Sequence, residues 1–141
     1  MTKFKFDIFE KRFKQKRKTI IKEAANDARN HFIGSFDNEG FTNDSLRAWK
    51  RRKKLIRGRK ILIGKQGGTL KRSVLIASMS DIKARIQSNL VYSAVHNYGR
   101  RAGRGEGFMM PQRKFMGNSN KLEVKTAKRI ARRIELIRRS L

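Results

Sequence analysis

Acid–base, metal and nucleophilic chemistry all need particular side chains at particular spacings, and this sequence is thin in each. Its two histidines, His31 and His96, lie in separate segments, and neither stands in a metal motif such as H-E-x-x-H. The 11 acidic residues are scattered, so no local pair or trio converges on catalytic metal ions as a metal-dependent nuclease requires. There is no G-x-S-x-G elbow. The absence of cysteine removes thiolate nucleophiles, disulfides and thiolate zinc or iron–sulfur sites. The stretch "GRRAGRGEG", residues 99–107, is rich enough in glycine and arginine to suggest a phosphate cradle. A P-loop, however, ends in Lys-Ser/Thr and opens a helix at once, and this stretch does neither. The expectation is a protein with no enzymatic activity, no cofactor and no metal.

Charge is the stronger signal. The chain of 141 residues carries 37 Lys and Arg against 11 Asp and Glu, a formal net charge of +26. Such a molecule repels its own copies and favours an acidic neighbour, whether nucleic acid, an anionic membrane or a protein. Two basic clusters are candidate contacts to DNA or to a partner: Arg51, Arg52, Lys53 and Lys54 in "KRRKK", and Arg100, Arg101 and Arg104 in the glycine-rich loop. Length and the 38% hydrophobic content predict one domain over 1–141 with a single core, a mobile basic N-terminus and flexible loops at about 37–60 and 100–110. No stretch reaches the ~18 apolar residues of a membrane span, and the N-terminus lacks a signal peptide's apolar run. The chain is expected to be made in the cytoplasm and to have no membrane partner.

The elements follow from hydrophobic spacing. Apolar residues from Phe6 to Phe32 recur at helical intervals, predicting a long amphipathic helix, broken around "KQKRK" and stopped at Gly34. Residues 34–60 read as loop with at most a short helix over Asp44–Lys53, and Trp49 as a half-buried lid. Ile61–Ile63, Val74–Ala77 and Ala84–Ser88 read as strands of an antiparallel sheet, with "SMSD" as a hairpin turn. Tyr92–Tyr98 returns to helical spacing and stops at Gly99. A last helix follows the cap-forming Asn118, Ser119 and Asn120, with Ala127, Ile130, Ile134, Ile137 and Leu141 as its stripe.

Four passages, taken in order, resemble the phage virion morphogenesis family, the tail completion proteins of tailed bacteriophages: "FIGSFDNEGF" with the following "AW", "ILIGKQGGTLKRSV", "IQSNLVYSAVHNYG" and "MPQRKFMGNS". The positions that carry the resemblance are Phe32, Phe36 and Trp49; Leu62, Gly68, Leu70 and Ser73; Tyr92, His96 and Gly99; and Pro111, Arg113, Phe115 and Gly117. It spans roughly residues 20–137. Ser93 and Met116 depart mildly from the family pattern, as does Gly67-Gly68-Thr69.

The resemblance implies an α+β fold: a small antiparallel sheet with a long N-terminal helix, a short central helix and a C-terminal helix packed against it. It further implies a structural virion protein for tail completion or head–tail joining, at the neck or tail end. Its expected partners are its own copies in a hexameric ring, the tail tube, and connector, portal or neck proteins, with genomic DNA in the channel a further candidate. Pro111 would fix the chain where it re-enters the fold, Arg113 would clasp carbonyls or a carboxylate, and Phe115 would anchor it. The charge alone supports a different reading, a general nucleic-acid-binding protein associated with nucleoid or ribosome, although no helix-turn-helix, zinc finger or RNA-recognition signature is present.

Overall fold

The computed structural model describes residues 4–54, 58–64 and 66–141. Helix α1, Phe6–Asn38, runs unbroken for 33 residues, about 50 Å at the α-helical rise. It passes through "KQKRK" without interruption because straight-chain lysines and glutamine are good helix formers that leave their charges in water. It also passes Gly34. A glycine ends a helix only when the backbone there turns left-handed, and the turn falls five residues later, at Glu39, with φ 50°. Glu39 is held in that conformation from two sides. Its carboxylate accepts the Ile61 N–H at 3.0 Å, and its carbonyl accepts the Trp49 N–H at 2.7 Å.

Three antiparallel hairpins follow in place of one small sheet. Strands β1, Gly40–Thr42, and β2, Leu46–Ala48, pair with Gly40 opposite Ala48. Strands β3, Val74–Met79, and β4, Ala84–Ser88, pair with Ile76 opposite Ile86 and an irregularity between Ile76 and Ser78. The Ser80 hydroxyl closes their turn by accepting the Ile82 and Lys83 N–H groups. Strands β5, Arg101–Ala102, and β6, Phe108–Met109, form the third. A two-stranded hairpin is marginal alone, so the first two lean on α1, which β1, β3 and β4 all touch. Two short helices lie between them: α2, Thr69–Arg72, and α3, Ser93–Tyr98, closed by Gly99 at φ 68°.

Helix α4, Asn120–Arg139, starts at Ser119, whose hydroxyl accepts the Leu122 N–H at 3.2 Å. It lies antiparallel on α1. Arg129 grips Asp27 and Arg133 grips Glu23, each through two hydrogen bonds. Asp27 is buried, and planar two-point pairing supplies geometry as well as attraction. The apolar stripe is realised by Ile130, Ile134 and Ile137, whereas Ala127 faces water.

The main core is Phe32, Phe36, Phe41, Trp49, Ile61, Leu70, Val74 and Phe115. Phe36 is fully buried, with the Trp49 ring edge-on at 5.6 Å and the Phe115 ring tilted at 5.1 Å. The α+β class and the flanking helices match expectation, and several local details do not. Asp44–Lys53 holds β2 and extended chain, because Leu46–Ala48 finds a strand partner in β1. Ile61–Ile63 is a turn that places Leu62 at φ 62°. Trp49 is buried, since its indole N–H has a bonding partner inside. The loop expected at 100–110 is the β5–β6 hairpin. Residues 55–57 of the loop expected at 37–60, and residues 1–3 of the basic N-terminus, lie outside the described residues.

Two substitutions test this packing. A Cβ at Gly34 would meet nothing within 4 Å, so Gly34→Ala should stabilise the protein by about 0.5–1 kcal/mol by lowering unfolded-chain entropy. Phe36→Ala should cost about 3–5 kcal/mol. Urea unfolding of the two variants beside the parent measures both.

Candidate functional site

Residues 111–117 cross the interior as extended chain outside any sheet, so each backbone polar group there needs a partner from elsewhere. Pro111 enters without an N–H to satisfy. The Arg113 N–H donates to the His96 carbonyl at 2.8 Å. The Trp49 indole donates to the Lys114 carbonyl at 2.7 Å, and the Ser35 hydroxyl to that of Phe115 at 3.3 Å. The Phe115 ring, 1% exposed, fills the core between these bonds. The Arg113 side chain, also buried, donates twice to the Lys50 carbonyl, at 3.0 and 2.9 Å, and so ties the 50s segment to the passage.

The residue that completes this clasp is Asn97, which the sequence reading passed over between His96 and Tyr98. Its Oδ1 accepts the N–H groups of Phe115 and Met116 at 2.9 and 3.0 Å, and its Nδ2 donates to the Met116 carbonyl at 3.1 Å. A primary amide offers both a donor and an acceptor, so a buried asparagine can stand in for a missing strand. Its carbonyl also accepts Gln112 Nε2 at 3.1 Å. The one available signal was a polar residue inside the short apolar run "YSAVHNYG", and nothing nearby in sequence says what it pairs with. Gly99 lets the chain turn close by. A Cβ there would come 3.0 Å from Gln112.

Of the positions that carry the resemblance, Trp49, Leu70 and Phe115 meet in the core. Gly68 is buried at the start of α2 with φ 93°, and Pro111, Arg113 and Gly117 belong to the clasp segment. Tyr92 and His96 lie on α3 and its approach and, with Leu62, Ile63 and Leu70, line an open cleft. Their rings meet edge-on at 6.1 Å. His96 Nδ1 is buried with no hydrogen-bond partner among the described residues. Burial, and then the Arg113 charge, pushes the His96 pKa below its usual value of 6.5. His31 is placed far from this cleft in function as well as sequence: its Nε2 lies 2.9 Å from the Thr42 carbonyl, joining α1 to β1.

The basic candidates fall on two flanks of the clasp. Arg51, Lys53 and Lys54 are exposed on one, with Arg52 half-buried and donating to the Arg59 carbonyl at 2.6 Å. On the other, Arg100 lies over the Tyr98 ring at 5.0 Å, Arg101 donates to the Glu106 carbonyl, and Arg104 is exposed at the hairpin tip. Phe108 and Met109 are exposed beside them. Among the described residues none of these seven basic side chains joins an ion pair. Among the same residues no group of three or more metal-type ligands occurs, and no helix is long and apolar enough to cross a membrane.

Residues 11–135 match the model of the phage virion morphogenesis family. No curated protein and no solved structure matches the chain.

Asn97→Ala should leave two buried N–H groups and a carbonyl unpaired and cost about 3 kcal/mol, read by urea unfolding. His96 should titrate by NMR below 6.5. Because its folded pKa is depressed, its contribution to stability is present above pH 6.5 and is lost as the pH falls through that value. Replacing it with Gln should flatten that part of the stability profile.

Proposed function

We propose a function from one premise: the chain belongs to the phage virion morphogenesis family, and so takes part in building the phage particle. Within that role the reading is tail completion or head–tail joining, with copies of the chain forming a closed ring at the neck or tail end. The tail tube and the connector, portal or neck proteins are its neighbours.

The observation that carries this is the use made of the positions shared with the family. Trp49, Leu70, Arg113 and Phe115 are spent on burying one another and on closing the chain. An enzyme of this size would be expected to hold some of its characteristic residues open to substrate, with partnered acids and bases at hand. Here the residues left open are Arg and Lys. Between Asp44 and Asp81 the sequence has twelve basic residues and no acidic one, so that part of the surface needs counter-charge from outside. Acidic faces of neighbouring virion proteins supply it in this reading, and the DNA of the channel is the other source.

Mass photometry of the purified protein, alone and with tail tubes, tests the assignment. A ring of defined mass that caps tubes is the expected result, and disruption of the gene should leave particles that lack a finished head–tail junction. A strict monomer that ignores tubes, or infectious particles without the protein, would overturn it. Duplex DNA binding by the monomer with a steep salt dependence, and no ring, would favour the nucleic-acid-binding reading. Charge reversal of Arg51, Arg52, Lys53 and Lys54 to Glu should abolish docking to tail or neck components while leaving the unfolding midpoint within about 0.5 kcal/mol of the parent.

A further inference from the structure

The first turns of α1 bury little within their own chain. Arg12 Nη1 bonds to the Ser140 Oγ at 2.7 Å, at the end of α4, so the helix before it runs on past its neighbour. Phe4, Phe6 and Ile8 on that tip are 54%, 62% and 41% exposed. The Phe4, Phe9 and Phe13 rings follow one another along the helix, with centroids 5.8 and 6.2 Å apart. A contiguous aromatic patch on a projecting helix marks a contact surface.

Charge decides what fits it. On this strongly basic chain the tip is an exception, since Asp7 and Glu10 stand beside Lys5 and Lys11. A helix that seeks anionic lipid or tracks phosphates carries Lys and Arg along its polar face, and this one mixes signs. It can therefore meet a basic surface without repulsion. Another copy of the chain supplies such a surface, with a matching shape. Between α1 and α4 lies a cleft with Ile20 and Ile137 as its floor, Leu136 on its wall at 47% exposed, and Lys16 and Arg133 around it. Tip and cleft share one unbroken helix, so the tip cannot fold back into its own cleft.

We propose that the aromatic tip of α1 docks in the α1–α4 cleft of a second copy, Phe6 and Phe9 against Ile20 and Leu136, with Asp7 and Glu10 toward Lys16. Repeated head to tail, this contact is heterologous, and it closes a ring when the rotation per copy permits. The inference rests on the ring reading and names the surfaces that would make it.

The absence of cysteine gives a clean test. Single variants Phe6→Cys and Leu136→Cys, mixed and oxidised mildly, should form a disulfide between copies. The same two cysteines in one chain should yield a ladder of covalent oligomers. Within one copy the tip and the cleft are separated by about 20 Å of rigid helix, well beyond disulfide reach. Phe6→Ser with Phe9→Ser should reduce the assembly to monomer at an unchanged melting temperature. Crosslinks only between Phe6 positions, or none, in a protein that still forms rings would overturn the tip contact and leave the ring reading standing. A chain that is monomeric at every concentration would remove both. Binding to phosphatidylglycerol vesicles that the serine variant loses would also overturn it, in favour of a lipid surface.

Discussion

Everything in this fold depends on taking one unpaired stretch of backbone, residues 111–117, into the interior with its hydrogen bonds made. The hydrophobic gain from Phe115 beside Phe36 and Trp49 is available only if the polar groups that travel with it are satisfied. Side chains from four places do this: Ser35 on α1, Trp49 after β2, Asn97 on α3, and Arg113 of the stretch itself reaching out to Lys50. Those places are far apart in sequence, so the clasp closes several segments at once. The hairpins, too short to persist alone, are fixed by what they connect to.

The division of labour in charge follows from the same economy. Where helices α1 and α4 meet, acids and bases are matched in two-point contacts, Asp27 with Arg129 and Glu23 with Arg133. The Glu23 carboxyl is held below its usual range mainly by its hydrogen bond to Arg133, despite opposing desolvation. Around the clasp the acids run out, and Arg and Lys face outward unmatched. A single chain in water carries that excess at a cost in self-repulsion. The family's role in particle building is a setting in which neighbours supply the missing charge.

How much was legible in the sequence varies with how local each cause is. The C-terminal helix was readable because its stripe, its Ser119 cap and its terminal arginines all lie within 20 consecutive residues. Gly99 was readable for the same reason. Gly34 misled, since the true stop at Glu39 depends on Ile61 and Trp49 reaching back from later in the chain. Ile61–Ile63 had the composition of a strand but no edge to pair with, and it became a turn. Trp49, Arg113 and Phe115 were visible as positions, through the resemblance and the proline before them. Asn97 was not, because its three bonds all go to residues 18 or 19 positions away.

The chemistry of the clasp also sets what can loosen it. Its side-chain participants are an indole, an amide, a hydroxyl and a guanidinium, and their partners are peptide groups. None of these gains or loses a proton at ordinary acidity; even burial and the neighbouring Arg52, which lower the Arg113 pKa, leave a group that stays cationic. Closure of the chain is therefore indifferent to acidification, which acts instead through the imidazole beside it and the carboxylates between the long helices. A particle built from such subunits would meet an acidic environment by slackening at helix seams while the centre of each subunit kept its shape.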